Sequence, residues 1–111
     1  WLMIYVHADC RPCDALLELI DRDETPLLPS KVVVVIGGVG VEDGNVLAQK
    51  FPDLVEASWN TDPDRLLLKV LQLPGAPVVL GMRDDVIEWS LAGVLGKSGD
   101  VQSVLRSWVA P

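Results

Sequence analysis

Two cysteines separated by two residues are the side chains best suited to chemistry in this sequence. Cys10 and Cys13 enclose Arg11 and Pro12, and the 111 residues contain two cysteines in all. Thiols at this spacing can interconvert between a dithiol and a disulfide, and the thiolate is the attacking species in that exchange. The motif therefore predicts disulfide-exchange chemistry, provided that the surrounding elements hold the two sulfurs correctly.

A buried strand and an amphipathic helix are predicted on either side of the motif. Residues 1–6 are continuously apolar, as in a strand that is covered on both faces of a sheet. Residues 10–21 have the helical spacing of apolar side chains, and Pro12 suits the first turn. Cys10 would then lie at the amino end of the helix, where free N–H groups and the helix dipole stabilise a thiolate. We expect Cys10 to attack and Cys13, one turn further in and more buried, to resolve the mixed disulfide.

The rest of the sequence predicts an α/β domain with a mixed sheet. Asp62 is expected to cap a helix that has Pro63 at its first position. Two apolar runs joined by residues 83–85 predict a hairpin. The other predicted elements are strands at 31–36 and 55–59 and helices at 43–51, 62–73 and 100–109, with the hairpin strands at 78–82 and 86–91. This order predicts a central sheet of four to five strands with helices on both faces.

Length and charge limit the class of protein. Residues 1–111 are enough for one domain with a hydrophobic core. Nine Lys and Arg against sixteen Asp and Glu give a net charge of -7, which opposes binding to nucleic acid. The apolar runs are shorter than the roughly 20 residues of a membrane-spanning helix, so we expect no membrane insertion by this segment. A monomer is expected.

Other uses of the cysteines are weaker on residue grounds. A structural zinc site needs four ligands, whereas the chain has two cysteines and one histidine, so we expect no bound metal. A purely structural bridge over two residues would close a very short loop and stabilise the fold little. His7 is poorly placed to act as a base toward Cys10, three residues along a strand end, and is expected at the rim of the site.

Three separated segments resemble those of the thioredoxin superfamily and, within it, the TlpA and ResA type of thiol-disulfide reductases. They are residues 10–13 after a strand, residues 75–77 before a strand, and residues 91–93 after the hairpin. The resemblance covers nearly the whole chain and implies a thioredoxin-like fold. It also implies that Pro77 follows a cis peptide bond and faces the cysteines, and that the Ala76 backbone pairs with an extended partner chain. Gly93 would keep that groove open.

The chain departs from the family pattern at two positions next to the cysteines. Asp9 stands where an aromatic residue usually precedes the first cysteine, and Ile4 stands where the family has a buried carboxylate. An acidic neighbour disfavours the Cys10 thiolate, although Asp9 could instead cap the helix. The segment 40–62 corresponds to an insert, and this insert favours the TlpA type over plain thioredoxin.

These observations predict a protein thiol-disulfide oxidoreductase, acting as a reductase toward a partner protein's disulfide or dithiol. No cofactor is expected other than the redox-active disulfide of Cys10 and Cys13. The alternative is a thioredoxin-fold adaptor or chaperone that uses the groove at Ala76, Pro77 and Gly93 with weak turnover. A glutaredoxin-like enzyme is less favoured because no basic cluster stands near the cysteines to bind glutathione. The resemblance favours an extracytoplasmic, periplasmic compartment, with the cytoplasm left open.

Overall fold

The computed structural model describes residues 1–21, 31–52, 54, 57–92, 104–105 and 107–108. Within them, strands and helices alternate along the first two thirds of the chain, and a hairpin follows. The elements are β1 Leu2–His7, α1 Arg11–Asp21, β2 Val32–Gly37, α2 Val41–Ala48, β3 Ser58–Asp62, α3 Leu66–Val70, β4 Val78–Arg83 and β5 Val86–Ala92. The architecture is α/β, as the element order predicts.

The strands form one mixed, five-stranded sheet in the order β3-β2-β1-β4-β5. Strand β1 lies at the centre and pairs in parallel with β2, which pairs in parallel with β3. On its other side β1 pairs antiparallel with β4, and β4 forms the predicted hairpin with β5. A central β1 explains its continuous apolar sequence, because neighbouring strands satisfy both of its edges and both of its faces are covered.

Helices cover both faces of the sheet, as predicted. On one face, Leu16, Leu17 and Ile20 of α1 pack with Ile4 and other side chains of β1. On the opposite face, Leu67 and Leu68, from α3, pack against Tyr5 of β1 and Val35 of β2. Because successive side chains of a strand point to opposite faces, β1 contributes to both cores and is the element around which the domain is built.

The segment 40–62 supplies the fifth strand. It contains α2 and β3, and β3 extends the parallel part of the sheet beyond β2. Two hydrogen bonds tie this segment together and to α1. Leu54 donates its N–H to Asp21 Oδ1 at 3.0 Å, and Trp59 Nε1 donates to the Leu54 carbonyl at 2.9 Å.

Several predicted boundaries are wrong by a few residues. Strand β3 begins at Ser58 and not at residue 55, because its pairing with β2 fixes its register. Helix α2 begins at Val41 and ends at Ala48. Helix α3 begins at Leu66, and Pro63 lies in a turn before it, because Arg65 has a left-handed backbone with φ 54° that a helix cannot contain.

The predicted helix at 100–109 lies mostly outside the described residues. Its described positions, 104, 105, 107 and 108, are helical. Leu105 is buried, and Trp108 packs edge-to-face on Trp89 of β5. In the part of the chain that the structure describes, no helix has both the length and the apolar character needed to cross a bilayer.

Candidate functional site

Cys10 and Cys13 form a disulfide at the junction between β1 and α1. Their Cα atoms are 5.2 Å apart, within the usual range for bridged cysteines. Cys10 immediately precedes α1, and Cys13 is the third residue of that helix. The structure therefore places the motif where its sequence context predicts, at the carboxyl end of the central strand and the amino end of a helix.

The two sulfurs have different surroundings. Cys13 is fully buried in the core beneath α1, whereas Cys10 is half-buried. The Cys13 backbone N–H donates a hydrogen bond to Cys10 Sγ at 3.2 Å. That N–H belongs to the first turn of α1, so it has no partner within the helix and is free to stabilise negative charge on Cys10.

Cys10 occupies the capping position of α1. Its carbonyl accepts the Asp14 N–H at 3.0 Å, the first hydrogen bond of the helix, and its sulfur accepts the N–H of Cys13. Asp9 stands one residue earlier, exposed and with a left-handed φ of 54°. The alternative in which Asp9 caps the helix is therefore wrong. Asp9 instead places a carboxylate next to the sulfur-bearing residue.

The segment before β4 lies at the same edge of the sheet as the disulfide. Val78 begins β4 opposite Tyr5, so Ala76 and Pro77 continue along the last residues of β1 toward α1. The Ala76–Pro77 peptide bond is cis, as the resemblance implies. Pro77 is buried and Ala76 half-buried. Gly93, the third residue expected in this groove, lies outside the described residues.

The other residues that the sequence placed near the disulfide are Arg11, Pro12 and Ile4. Arg11 and Pro12 are exposed between the cysteines. Ile4 is fully buried within the core that also contains Cys13. The sec-butyl side chain of Ile4 offers no proton acceptor to Cys13, so ionisation of that thiol depends on other groups.

A second group of polar residues, which local sequence patterns did not bring together, lies toward the carboxyl ends of β1 and β3. The His7 backbone N–H donates to Cys13 Sγ at 3.5 Å. The His7 ring packs edge-to-face on Tyr5 at 5.6 Å, and the Tyr5 hydroxyl donates to Asp62 Oδ2 at 3.0 Å. The sequence contained one indication of this group. Residues 5 and 7 are two positions apart on the predicted strand before the motif, so their side chains are expected on the same face of the sheet.

Asp62 holds this edge of the sheet together. Its carboxylate accepts the N–H groups of Leu66 and Leu67 at 2.9 Å each, and its carbonyl accepts those of Gly38 and Arg65. The prediction that Asp62 is the capping residue of α3 is wrong in position, because Arg65 directly precedes the first helical residue, but the Asp62 carboxylate does accept N–H groups of the first turn. The Asp62 side chain therefore connects the first turn of α3 to Tyr5, and through Tyr5 to β1, the strand that precedes the disulfide.

These contacts shift the pKa values of the three titratable groups. Burial raises the pKa of Tyr5, and the hydrogen bond to Asp62 raises it further. Burial by itself would raise the pKa of Asp62, but hydrogen bonds from Tyr5, Leu67 and Leu66 outweigh it and hold the pKa below its usual value. Burial lowers the pKa of His7, with a further contribution from the positive charge of Arg65. His7 is therefore neutral near pH 7.

No protein-family model matches the chain, and no curated protein matches it by sequence.

Proposed function

We propose that this protein is a thiol-disulfide oxidoreductase with a thioredoxin-like fold that reduces a disulfide in a partner protein. The observation that carries the proposal is the asymmetry of the disulfide. Cys10 is accessible and its sulfur accepts a helix N–H, whereas Cys13 is sealed in the core. This is the arrangement expected of an attacking thiolate with a resolving thiol behind it.

The reaction starts from the reduced protein. The Cys10 thiolate attacks one sulfur of the partner's disulfide, whose other sulfur leaves as a thiolate and takes a proton from water. Cys13 then loses its proton to water and attacks Cys10 Sγ. The Cys10–Cys13 bond forms, the mixed disulfide breaks, and the second partner sulfur leaves and is protonated. Two electrons pass to the partner, and a dithiol reductant must restore the reduced protein.

The segment of Ala76 and Pro77 is the proposed docking site for the partner's chain around its disulfide. Its backbone continues along the edge where β1 ends, beside the residues that bear the two sulfurs. An extended partner segment can pair there with the Ala76 backbone, in the manner of an added strand. Gly93 remains a prediction for the opposite side of this groove.

An adaptor with weak redox turnover is the second candidate. The buried Ile4 and the exposed Asp9 favour it, because the first gives Cys13 no carboxylate and the second opposes ionisation of Cys10. Such a protein would bind a partner at the same edge of the sheet without reducing it at a useful rate.

Trapping and turnover distinguish the two candidates. With a protein disulfide such as insulin as the probe, Cys13→Ser should accumulate a mixed disulfide on Cys10, because no second thiol can release it. The wild-type chain should reduce insulin repeatedly when a dithiol reductant is supplied. Stable trapping by Cys13→Ser without turnover by the wild type would favour the adaptor.

Cys10→Ser is the matched control. It also leaves one cysteine, but Cys13 is fully buried. We expect neither a mixed disulfide nor insulin reduction from this variant. If Cys10→Ser traps insulin as readily as Cys13→Ser does, the assignment of Cys10 as the attacking sulfur is wrong.

A further inference from the structure

Cys13 must lose a proton before it can resolve the mixed disulfide, yet its surroundings contain no carboxylate at the position of Ile4. Ile4 is fully buried and packs in the same core as Cys13. An apolar environment by itself raises the pKa of a thiol, because it disfavours the charged form. Some other group near Cys13 Sγ therefore has to stabilise the developing thiolate.

His7 is the residue that contacts this sulfur from β1. Its backbone N–H donates to Cys13 Sγ at 3.5 Å, a hydrogen bond that strengthens when the sulfur carries a negative charge. Its imidazole lies on the opposite face of the sheet, against Tyr5 and over Gly37. The ring is thus close to the peptide that contacts Cys13, without occupying the thiol's own pocket.

The groups near the imidazole determine what its protonation does to the charge at this end of the sheet. Nε2 is buried and has no hydrogen-bond partner among the described residues. Among the described residues, Tyr5 contacts the ring, Arg65 before α3 acts on it through its positive charge, and Cys13, bridged to Cys10, contacts the His7 backbone; Asp62 lies beyond Tyr5, at the hydroxyl of that residue. The groups that donate to the Asp62 carboxylate are neutral and leave its negative charge in place, so a proton on His7 adds one positive charge to this end of the sheet.

We propose that His7 is a positioning residue for the resolving step, which sets how readily Cys13 ionises. Its N–H stabilises negative charge on Cys13 Sγ at any pH, and its imidazole adds a positive charge when protonated in mild acid. As the pH decreases, the fraction of Cys13 that is present as thiolate then decreases less steeply than it would for a thiol with no histidine nearby. This inference rests on the proposed function, since it concerns the attack of Cys13 on Cys10.

The resolving step can be measured with an aromatic disulfide, dithiobis(nitrobenzoate), as the probe. Reduced Cys10 releases one coloured thionitrobenzoate and retains the other as a mixed disulfide, and attack by Cys13 releases the second. The rate of the second release should fall about tenfold per pH unit where His7 does not titrate, since the thiolate fraction falls by that factor. In the wild type, we expect a flatter segment below about pH 6.5, where His7, whose pKa is lowered from its ordinary value, takes up its proton.

His7→Gln should remove the flatter segment, because glutamine keeps the backbone N–H and cannot be protonated. Tyr5→Phe is the control, since it alters the ring that His7 packs on and keeps the imidazole. Its profile should retain the flatter segment. Superimposable profiles of the wild type and His7→Gln, or loss of the segment in Tyr5→Phe as well, would overturn the proposal.

The single histidine of the sequence allows a second test. A proton NMR titration of the tag-free mixed disulfide, with Cys13→Ser to prevent its resolution, gives the pKa of His7 without ambiguity. The midpoint of the flatter segment must coincide with that pKa, and a clear mismatch rejects the coupling. Absence of any second release would instead refute the proposed function, so the two failures are distinguishable.

Discussion

At the scale of single residues, the charge next to Cys10 governs how readily its sulfur ionises. The amino end of α1 and the Cys13 N–H, 3.2 Å from Cys10 Sγ, both favour an anion. Asp9 adds a carboxylate one residue before Cys10, and the exposed Arg11 adds a positive charge one residue after it. Asp9 therefore partly cancels the stabilisation that the helix and Arg11 give to the Cys10 thiolate.

Asp9→Asn tests this balance. Removal of the negative charge should lower the pKa of Cys10 in the reduced protein and raise the rate of its alkylation at neutral pH by roughly threefold, a modest effect because Asp9 is exposed. The ultraviolet absorbance of the thiolate, followed against pH, measures the pKa directly. Asp85→Asn, which removes the same charge from the turn between β4 and β5, should leave the titration unchanged. A rise in the Cys10 pKa on Asp9→Asn would contradict this account.

At the scale of the elements, Asp62 connects the parallel strands to α3. Its carboxylate accepts two N–H groups of that helix and the Tyr5 hydroxyl, so it fixes the position of α3 relative to β1. Helix α3 has five residues, too few to be stable without such support. The same contacts hold the ring on which His7 packs.

Asp62→Ala should therefore destabilise the domain by about 2 kcal/mol, the upper part of the range for loss of a capping carboxylate. Asp64→Ala is the matched control, because Asp64 is exposed in the turn before α3. We expect its effect to stay within about 0.5 kcal/mol. Urea unfolding of the oxidised protein measures both values, and equal losses in the two variants would show that Asp62 has no special role.

At the scale of the whole molecule, the half-buried His7 makes folding depend on pH. The pKa of His7 is lowered from its ordinary value of 6.5 in the folded protein. Between that value and the lowered one, the unfolded chain binds the proton and the folded chain does not, so stability decreases as the pH falls below about 6.5. Asp62, whose pKa is also lowered, adds a separate loss below its ordinary value of 3.8.

His7→Gln should remove the first of these two losses. Urea midpoints of the oxidised wild type should decrease from about pH 7 to pH 5, whereas those of the variant should decrease less over the same interval. The difference arises because glutamine binds no proton in either state. Parallel decreases in the two proteins would mean that His7 does not couple folding to pH in this interval.

The sequence by itself determined those features that depend on local patterns. The apolar run of β1, the helical period after Cys10 and the position of Pro12 are sufficient to place the CxxC motif at a strand-to-helix junction, because each depends on neighbouring residues. The hairpin of β4 and β5 was predicted for the same reason, as was a polar side chain at Asp62 for the first turn of α3, although Arg65 occupies the capping position itself. The cis bond before Pro77 followed from the resemblance of residues 75–77 to a known motif.

Only the tertiary structure decided which distant groups surround the sulfurs. The pairing of β3 with β2 brings Asp62 to within hydrogen-bonding distance of Tyr5, 57 positions earlier in the sequence. The left-handed conformation of Arg65 delays the start of α3. The hydrogen bond from the His7 N–H to Cys13 Sγ requires α1 to fold back onto the end of β1. Such contacts arise from strand order and packing, which local sequence patterns do not specify.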